Sequence, residues 1–323
     1  MPPLRLDRRH RSVDIATVTM NPAVDVSTSV DRVVPIHKLR CSSLLRDPGG
    51  GGINVARVVR RLGGGVAAVY TAGGSMGQLL RQLVEREGID SRAVQIAEET
   101  REDFAVREDA SGQQFRFVLP GPQVSPHEWA QCLDTLASLR PFPSYLVASG
   151  SLAPGIPEDF YARIARLAKG HHAKLVVDTS GSSLRAALKE GVYLVKPNRR
   201  ELAELVGRML DQEAAWAAAC REIVEGQQAA VVALTLGDQG AMLVTHEGTW
   251  RAPGLAVEAV SAVGAGDSFL GGMVWSLAAG HAVEEAFRYG VAAGTAAVLR
   301  SGTELCRRED VVRLLGEVTL EAI

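Results

Sequence analysis

SYLVASGSLAPGIPEDFYARIARLAKGHHAKLVVD (144–178) reads as a strand, a helix and a second strand. SYLVAS (144–149) and AKLVVD (173–178) are short apolar strand-like runs. PEDFYARIARLAKG (157–170) between them is amphipathic at the helical period and stops at a glycine, as a C-cap requires. Outward from this unit the same rhythm recurs. DIATVTM (14–20), VAAVYTA (66–72), VYLVKP (192–197) and AAVVALTL (229–236) are further apolar runs, and INVARVVRRLG (53–63) and MGQLLRQLVEREG (76–88) are further amphipathic helices ending at glycine. Strands alternating with helices predict an α/β fold, built of βαβ units around a mostly parallel sheet covered on both faces.

Two segments break the rhythm. Residues 22–46 and 100–119 are polar, alternating and without a helical period, as in VDVSTSVDRVV and DFAVREDASGQQFRFVL, and DASG (109–112) between alternating runs is a hairpin signal. They predict a small β-sheet that projects from the body and can close over a ligand. From about residue 265 the pattern is helical to the end, with no strand as strong as the earlier ones.

Composition sets bounds on function. With 46% hydrophobic and 22% charged residues, the 323-residue chain is a folded, water-soluble protein, read as one large domain over 13–320 with the lid as its appendage. A formal net charge of -2 gives no basic field for nucleic acid or an acidic membrane, and no apolar stretch is long and uniform enough to span a bilayer. The basic opening MPPLRLDRRHRS (1–12) precedes a strand and not a long apolar region, and is read as a disordered extension. Cys41, Cys132, Cys220 and Cys306 are scattered with no C-x-x-C pair, which fits reduced thiols and a cytoplasmic location. Only five of the 35 basic residues are lysines, so Lys38 and Lys196, which fall inside motifs, are less easily chance decoration.

The sharpest motif is SAVGAGDSFLGGMVWSLAAG (261–280), a glycine-rich turn running into an apolar helix with Asp267 near its first turn. Unpaired N–H groups at such a helix start make an anion site, and the carboxylate beside them is a base; Asp267 is equally explained as an N-cap. Phosphoryl transfer needs positioning, charge neutralisation and one base near the accepting hydroxyl, and GAGD supplies an anion hole and a base together. PGGGGINVARVVRRLGGG (48–65) is neither a Walker A loop nor a dinucleotide fingerprint; its glycines let backbone approach a ligand, or else form a flexible turn before Asn54.

Weaker signals surround these two. MNPAVD (20–25) delivers Asp25 after a strand, where it accepts sugar hydroxyls or simply turns the chain. In VKPNRRE (195–201), Asn198 and Glu201 offer hard oxygens to Mg²⁺, or else close a capping box. TLGDQGAM (235–242) places glycines beyond a strand end where a nucleotide can lie, although a hairpin is the preferred reading. Lys38, Arg40, Arg101 and, less surely, Arg116 are candidates for holding a substrate phosphate. The seven histidines sit in no metal-ligand or triad spacing.

Together, MNPAVD, PGGGGINVAR, ASGSLAPG (148–155), VKPNRRE, TLGDQGA and VGAGDSF (263–269) resemble, in order and spacing, the PfkB or ribokinase-like carbohydrate kinase family across roughly residues 13–320. Within it, HKLRC (37–41), the all-glycine loop and GVAAGTAAVLRSGT (290–303) look most like the minor 6-phosphofructokinase branch. The resemblance implies a three-layer α/β/α sandwich with a β-sheet lid, a homodimer formed through that lid, and ATP over the carboxyl edge of the main sheet. It implies Asp267 as general base with Gly264, Ala265 and Gly266 as anion hole, and Asp25, Gly49, Gly50 and Asn54 gripping the sugar. Lys38, Arg101 and Ser151 then face the substrate's own phosphate. Lys196, Asn198, Thr235, Gly237 and Gly240 correspond to the nucleotide side, with Asn198 and Glu201 on Mg²⁺.

Two departures bear on this. Ser261-Ala262 stands where many members carry Asp-Thr, so main-chain carbonyls near Ser261, Val263 and Gly302 become the candidate K⁺ ligands. MNPAVD is closer to the form of 1-phosphofructokinases and tagatose-6-phosphate kinases, whereas GGGG, where those carry Gly-Gly-Lys-Gly, points the other way and weighs more. The expectation is ATP-dependent phosphorylation of fructose 6-phosphate at its 1-hydroxyl. The alternatives are 1-phosphofructokinase, tagatose-6-phosphate kinase or a non-catalytic sugar-phosphate sensor.

Overall fold

The computed structural model describes residues 14–42, 44–300 and 302–323; the opening read as an extension (1–12) lies outside them. The chain runs through β1 (Ile15–Thr19), β2 (Ala23–Val30), β3 (Leu45–Gly49), α1 (Gly51–Arg61), β4 (Val66–Ala72), α2 (Gly74–Arg86), β5 (Asp90–Gln95), β6 (Arg101–Glu108), β7 (Gln114–Val118), α3 (Pro126–Ala137), β8 (Tyr145–Ser149) and α4 (Phe160–Gly170). It continues through β9 (Lys174–Asp178), α5 (Gly181–Lys189), β10 (Val192–Val195), α6 (Arg199–Val206), α7 (Glu213–Glu225), β11 (Ala229–Thr235), β12 (Gly240–Thr245), β13 (Thr249–Pro253), α8 (Ala265–Ala278), α9 (Val283–Val298), α10 (Arg308–Leu315) and β14 (Glu321–Ala322).

Ten strands form the main sheet in the order β14-β13-β12-β11-β10-β9-β8-β1-β4-β5. From β11 to β5 every neighbouring pair is parallel, and β12, β13 and β14 add an antiparallel wing. β1, β4 and β8 are buried at every residue, which is why they read as unbroken apolar runs. Their side chains alternate between two cores. Ile15, Tyr145 and Val147 pack with α1, α2, α8, α9 and α10 on one face, and Ala16, Val18, Leu146 and Ala148 pack with α3 to α7 on the other. The layers are therefore helix, sheet, helix.

A second sheet has the order β3-β2-β6-β7, with β2 and β6 parallel from Ala23 opposite Arg101 to Val30 opposite Glu108. Its first segment differs from the expectation of strand over 22–46. β2 ends at Val30, residues 31–42 carry no regular structure with Ile36 at φ 72, and β3 instead runs into the glycine loop through Pro48. Proline is tolerated there because β3 is an edge strand. The helix ends also divide: Gly63 (φ 95) and Gly88 (φ 71) follow α1 and α2 in the left-handed conformation, but α4 runs through Gly170 and His172 (φ 56) takes that role.

Because the central strands are parallel, the ends of β1, β8, β9, β10 and β11 share one edge of the sheet, where the backbone turns and side chains face a crevice. β2 leaves from that edge directly after β1, so the small sheet overhangs it as a lid.

Candidate active site

α8 starts at this edge with no side-chain cap: Gly264 is the N-cap at φ 74, and Asp267 stands three residues into the helix. Only glycine fits at 264, since a Cβ would lie 2.5 Å from Leu305 Cδ2 in a conformation that L side chains avoid. Ser268 N–H donates to the Gly264 carbonyl at 2.8 Å, and the Ala265 N–H, expected in the anion hole, donates to the Ala262 carbonyl at 3.4 Å, whereas the amides of Gly264, Gly266 and Asp267 have no partner among the described residues. Asp267 is thus not the helix cap. Its Oδ2 instead accepts a hydrogen bond at 2.9 Å from Asn54 Nδ2, on α1. A carboxylate beside three open amides at the positive end of a 14-residue helix is set up to receive a proton next to an anion.

The surroundings adjust its proton affinity. Burial lifts Asp267 above the ordinary carboxylate range, against the opposing pull of the Asn54 hydrogen bond and of Lys196, Arg116 and Arg57. Lys196 is itself buried and pairs with Asp178 at the end of β9, Nζ to Oδ1 3.1 Å. Burial would depress the ammonium, but the carboxylates of Asp178, Glu201 and Asp267 together outweigh it and hold Lys196 above its usual range. Burial raises Asp178 too, more than Lys196 lowers it, and Asp267 nearby adds to the rise. Lys196, expected on the nucleotide, is in this geometry the counter-ion of a carboxylate pair, with Nζ 3.4 Å from where a Cβ on Gly266 would sit.

Under the lid lies a cleft of about 360 Å³, lined among others by Asp25, Gly50, Asn54, Arg101, Arg116, Ser151, Asp178, Glu201, Gly264 and Asp267. Asp25 presses its carboxyl against Gly49, where any Cβ would clash with it, and Gly50 at φ 107 leaves 2.7 Å between an added Cβ and Thr19 Cγ2. The four glycines are therefore not a flexible turn. Gly50 caps α1, Gly51 and Gly52 are its first residues, and an added Cβ on Gly52 would meet Thr19 Oγ1 at 2.5 Å, so the helix can sit directly on the strand ends. Burial, with the neighbouring Asp103 adding to it, raises Asp25 to about 7 against the influence of Arg116 and Arg57.

The expected phosphate holders divide. Arg101 lines the cleft, but donates to the carbonyls of Leu119 (2.9 Å) and Asn21 (3.1 Å) and pairs with Asp103 (3.4 Å). Ser151 also lines it and accepts from Asn21 Nδ2 at 3.1 Å. Lys38 and Arg40 are exposed on the connection after β2, and neither lines the cleft. Arg116 on β7 does line it, exposed and with no side-chain hydrogen bond or ion pair among the described residues. In the sequence Arg116 is the less sure candidate, since an arginine in an alternating strand such as FRF carries no mark of an anion site.

On the other side of the α8 start is a cavity of about 630 Å³, lined by Asn198, Thr235, Gly237 and Gly240 and by an apolar wall that includes Leu255, Val257, Phe269 and Val298. β11 and β12 do form the antiparallel hairpin that was the preferred reading of TLGDQGAM, and the turn of that hairpin lines the cavity. Gly237 (φ 67) has nothing within 4 Å of an added Cβ, whereas a Cβ on Gly240 would run into the Ala252 carbonyl. Asn198 and Glu201 close a capping box on α6, each donating its backbone N–H to the other's side chain at 2.9 Å. The Asn198 oxygen accepts one hydrogen bond in that box and keeps a second lone pair. Glu201 spends only Oε2 and lines the cleft, which leaves one hard oxygen of the kind Mg²⁺ takes. Ser261 Oγ lies 3.5 Å from the Gly302 carbonyl, so the two loops expected to offer carbonyls to K⁺ stand side by side.

Arg57 and Asp178 went unread in the sequence. Asp178 carried a signal, being an acid at the end of an apolar parallel strand; Arg57 looked like the polar side of an amphipathic helix.

Comparison with known proteins identifies the family. Residues 16–310 match the family described as pfkB family carbohydrate kinase. The chain is 44% identical over 299 residues to the ATP-dependent 6-phosphofructokinase isozyme 2 of Mycobacterium tuberculosis, covering 93% of this chain and 88% of that one. It is 39% identical over 303 residues to the protein of the same name from Escherichia coli, covering 94% and 98%. The crystal structure of phosphofructokinase-2 from Escherichia coli in complex with potassium superposes with a TM-score of 0.90 at 39% identity, over 95% of this chain and 99% of that one. With its layered sheet, lid and glycine-borne carboxylate, the chain belongs to the pfkB family of carbohydrate kinases.

Proposed function

We propose that this chain transfers the γ-phosphoryl group of ATP to the 1-hydroxyl of fructose 6-phosphate, giving fructose 1,6-bisphosphate and ADP. The observation that carries it is the position of the α8 N-terminus, which is the wall between two cavities. Gly264 and Asp267 line the polar cleft under the lid, and Ala265 and Gly266 line the larger, more apolar cavity. A sugar in the first and a nucleotide in the second meet at the open amides.

In this reading Asp267 takes the proton of the 1-hydroxyl as its oxygen bonds to the γ-phosphorus, and the bond from that phosphorus to the bridging oxygen of ADP breaks. The amides of Gly264, Gly266 and Asp267 hold the equatorial oxygens of the group in flight, and Lys196 tempers the charge of the neighbouring Asp178. Asp25 receives sugar hydroxyls, the glycines at 49 and 50 let the sugar lie on backbone, and the unpaired Arg116 with Arg101 and Ser151 faces the sugar's own phosphate. Asn198 and Glu201 would offer hard oxygens to Mg²⁺, directly or through bridging waters, and the ion would supply charge neutralisation on the nucleotide phosphates. Carbonyls around Ser261, Val263 and Gly302 would hold K⁺, whose charge would support the anion hole. Relatives described as in complex with fructose-6-phosphate, and with substrates and products, support the choice of sugar at 38% and 39% identity.

ADP release across a panel of sugar phosphates tests the proposal. Fructose 6-phosphate is expected to turn over fastest. Faster turnover of fructose 1-phosphate or tagatose 6-phosphate would move the chain to another branch, toward the 1-phosphofructokinase of Bacillus subtilis to which it is 31% identical. Binding without ADP release would make it a sensor.

We further propose self-association of two copies through the lid. Eight of the twelve exposed large apolar side chains among the described residues (Val33, Ile36, Leu39, Leu44, Leu45, Phe117, Val118 and Leu119) lie on the lid or its connections, a concentration that a monomer would leave in water. The relative from Escherichia coli has an inhibited form described as tetrameric.

A further inference from the structure

Arg57 is among the most deeply buried side chains in the molecule, at 1% exposure, and each nitrogen of its guanidinium is engaged. Nε donates to Glu87 Oε1 at the end of α2 (2.8 Å), and Nη2 donates to Asp47 Oδ1 in lid strand β3 (3.0 Å). Nη1 is shared between the Pro48 carbonyl in β3 (3.2 Å) and Asn54 Oδ1 (3.3 Å). Asp47 is held in turn by Thr303 Oγ1 at 2.7 Å. The Asn54 amide therefore stands between a cation that can only donate and a carboxylate that can only accept. With Oδ1 toward Arg57 and Nδ2 toward Asp267 both contacts are attractive; turned over, both are repulsive.

We infer that Arg57 is a positioning residue for the transfer reaction: it locks the Asn54 amide so that Asn54 orients Asp267 Oδ2, and ties that orientation to the lid strand carrying Asp47 and Pro48. This rests on the reading of Asp267 as the base. A buried arginine needed only to neutralise Asp47 and Glu87 would not have to reach Asn54, and a lysine could replace it; the fork that serves four acceptors at once is what lysine lacks.

The test compares Arg57→Lys, Arg57→Gln, Asn54→Ala, Arg57→Lys with Asn54→Ala, and Asp267→Asn, with kcat measured against pH at saturating ATP and fructose 6-phosphate and melting temperature measured alongside. Arg57→Lys is expected to lower kcat by roughly 10- to 100-fold, the scale of a misplaced reacting group, with the KM for ATP within about threefold. Adding it to Asn54→Ala is expected to lower kcat no further than Asn54→Ala alone, because the two act in series. Arg57→Gln is expected to move the acidic limb of the kcat profile to higher pH. The charged groups sharing the cleft with Asp267 or acting on it, namely Lys196, Asp178, Arg116, Arg101, Asp103, Asp25 and Glu201, all remain, and only one lowering influence is lost.

Parental kcat and profile in Arg57→Lys, or losses that multiply in the combined variant, would overturn the inference. So would a fall in melting temperature with no change in kcat. If Arg57→Gln does not fold, Arg57→Lys and the combined variant decide alone. Full turnover in Asp267→Asn would sink the base assignment itself; lost turnover there with parental Arg57 variants would sink only the role of Arg57.

Discussion

Asp25 and Asp267 are two carboxylates in one cleft with the same direction of shift and different uses. Asp25 is raised to about 7 chiefly by burial, so the fold holds a proton there that the unfolded chain would have released near pH 4. A raised acid lowers stability as pH climbs from the unfolded value toward the folded one, and the cost is fully present above about 7. Asp25→Asn is therefore expected to melt higher than the parent at pH 8, with the gap closing as pH falls toward 4. Thermal unfolding at a series of pH values checks this, and a gap that widens on acidification would contradict it. The same substitution is expected to raise the KM for the sugar phosphate, since stability is given up here for a polar grip on the ligand.

At the scale of elements, the glycines at the head of α8 decide the geometry. Gly264→Ala forces a left-handed alanine against Leu305, with an expected loss of about 1–3 kcal/mol in urea unfolding. It is also expected to lower kcat by roughly 10²-fold, comparable to losing one oxyanion donor, as the open amides move. Parental kcat with lowered stability would separate the loop's fold from its chemistry. The strands that built this edge were legible because burial on both faces writes them as apolar runs. β5 (DSRAVQ) and β13 (TWRAP) were not, because the first is an edge strand and the second lies in the antiparallel wing, and neither is apolar throughout. The α8 and α1 motifs were legible for a related reason, since runs of glycine mark backbone that must come close to something. Arg57 was not legible: its burial depends on Asp47 and Glu87, 10 and 30 residues away in the chain, and a helix pattern cannot register partners brought in by tertiary packing. Its removal is expected to cost about 1–3 kcal/mol, the usual penalty for leaving hydrogen-bonding groups unpaired, here the half-buried Asp47 and Glu87 carboxylates and the buried Pro48 carbonyl.

For the whole molecule, the lid is where the proposed catalysis and the proposed assembly meet. It roofs the cleft with Asp25, Arg101 and Arg116 and carries most of the exposed apolar side chains. A second copy of the chain is the cover proposed for that surface. Phe117→Asp combined with Val118→Asp is expected to reduce the particle to half its mass in light scattering and to raise the KM for the sugar phosphate. An unchanged mass would place the interface elsewhere.

The proposed transfer rests on one carboxylate at the mouth of α8, between a polar cleft and a larger, more apolar cavity. Its most direct measurement is the turnover of Asp267→Asn at saturating ATP and fructose 6-phosphate, with ATP binding followed by calorimetry. The substitution is expected to lower kcat by 10²-fold or more, as removal of a general base does, with the dissociation constant for ATP within about threefold. Turnover equal to that of the parent would contradict it.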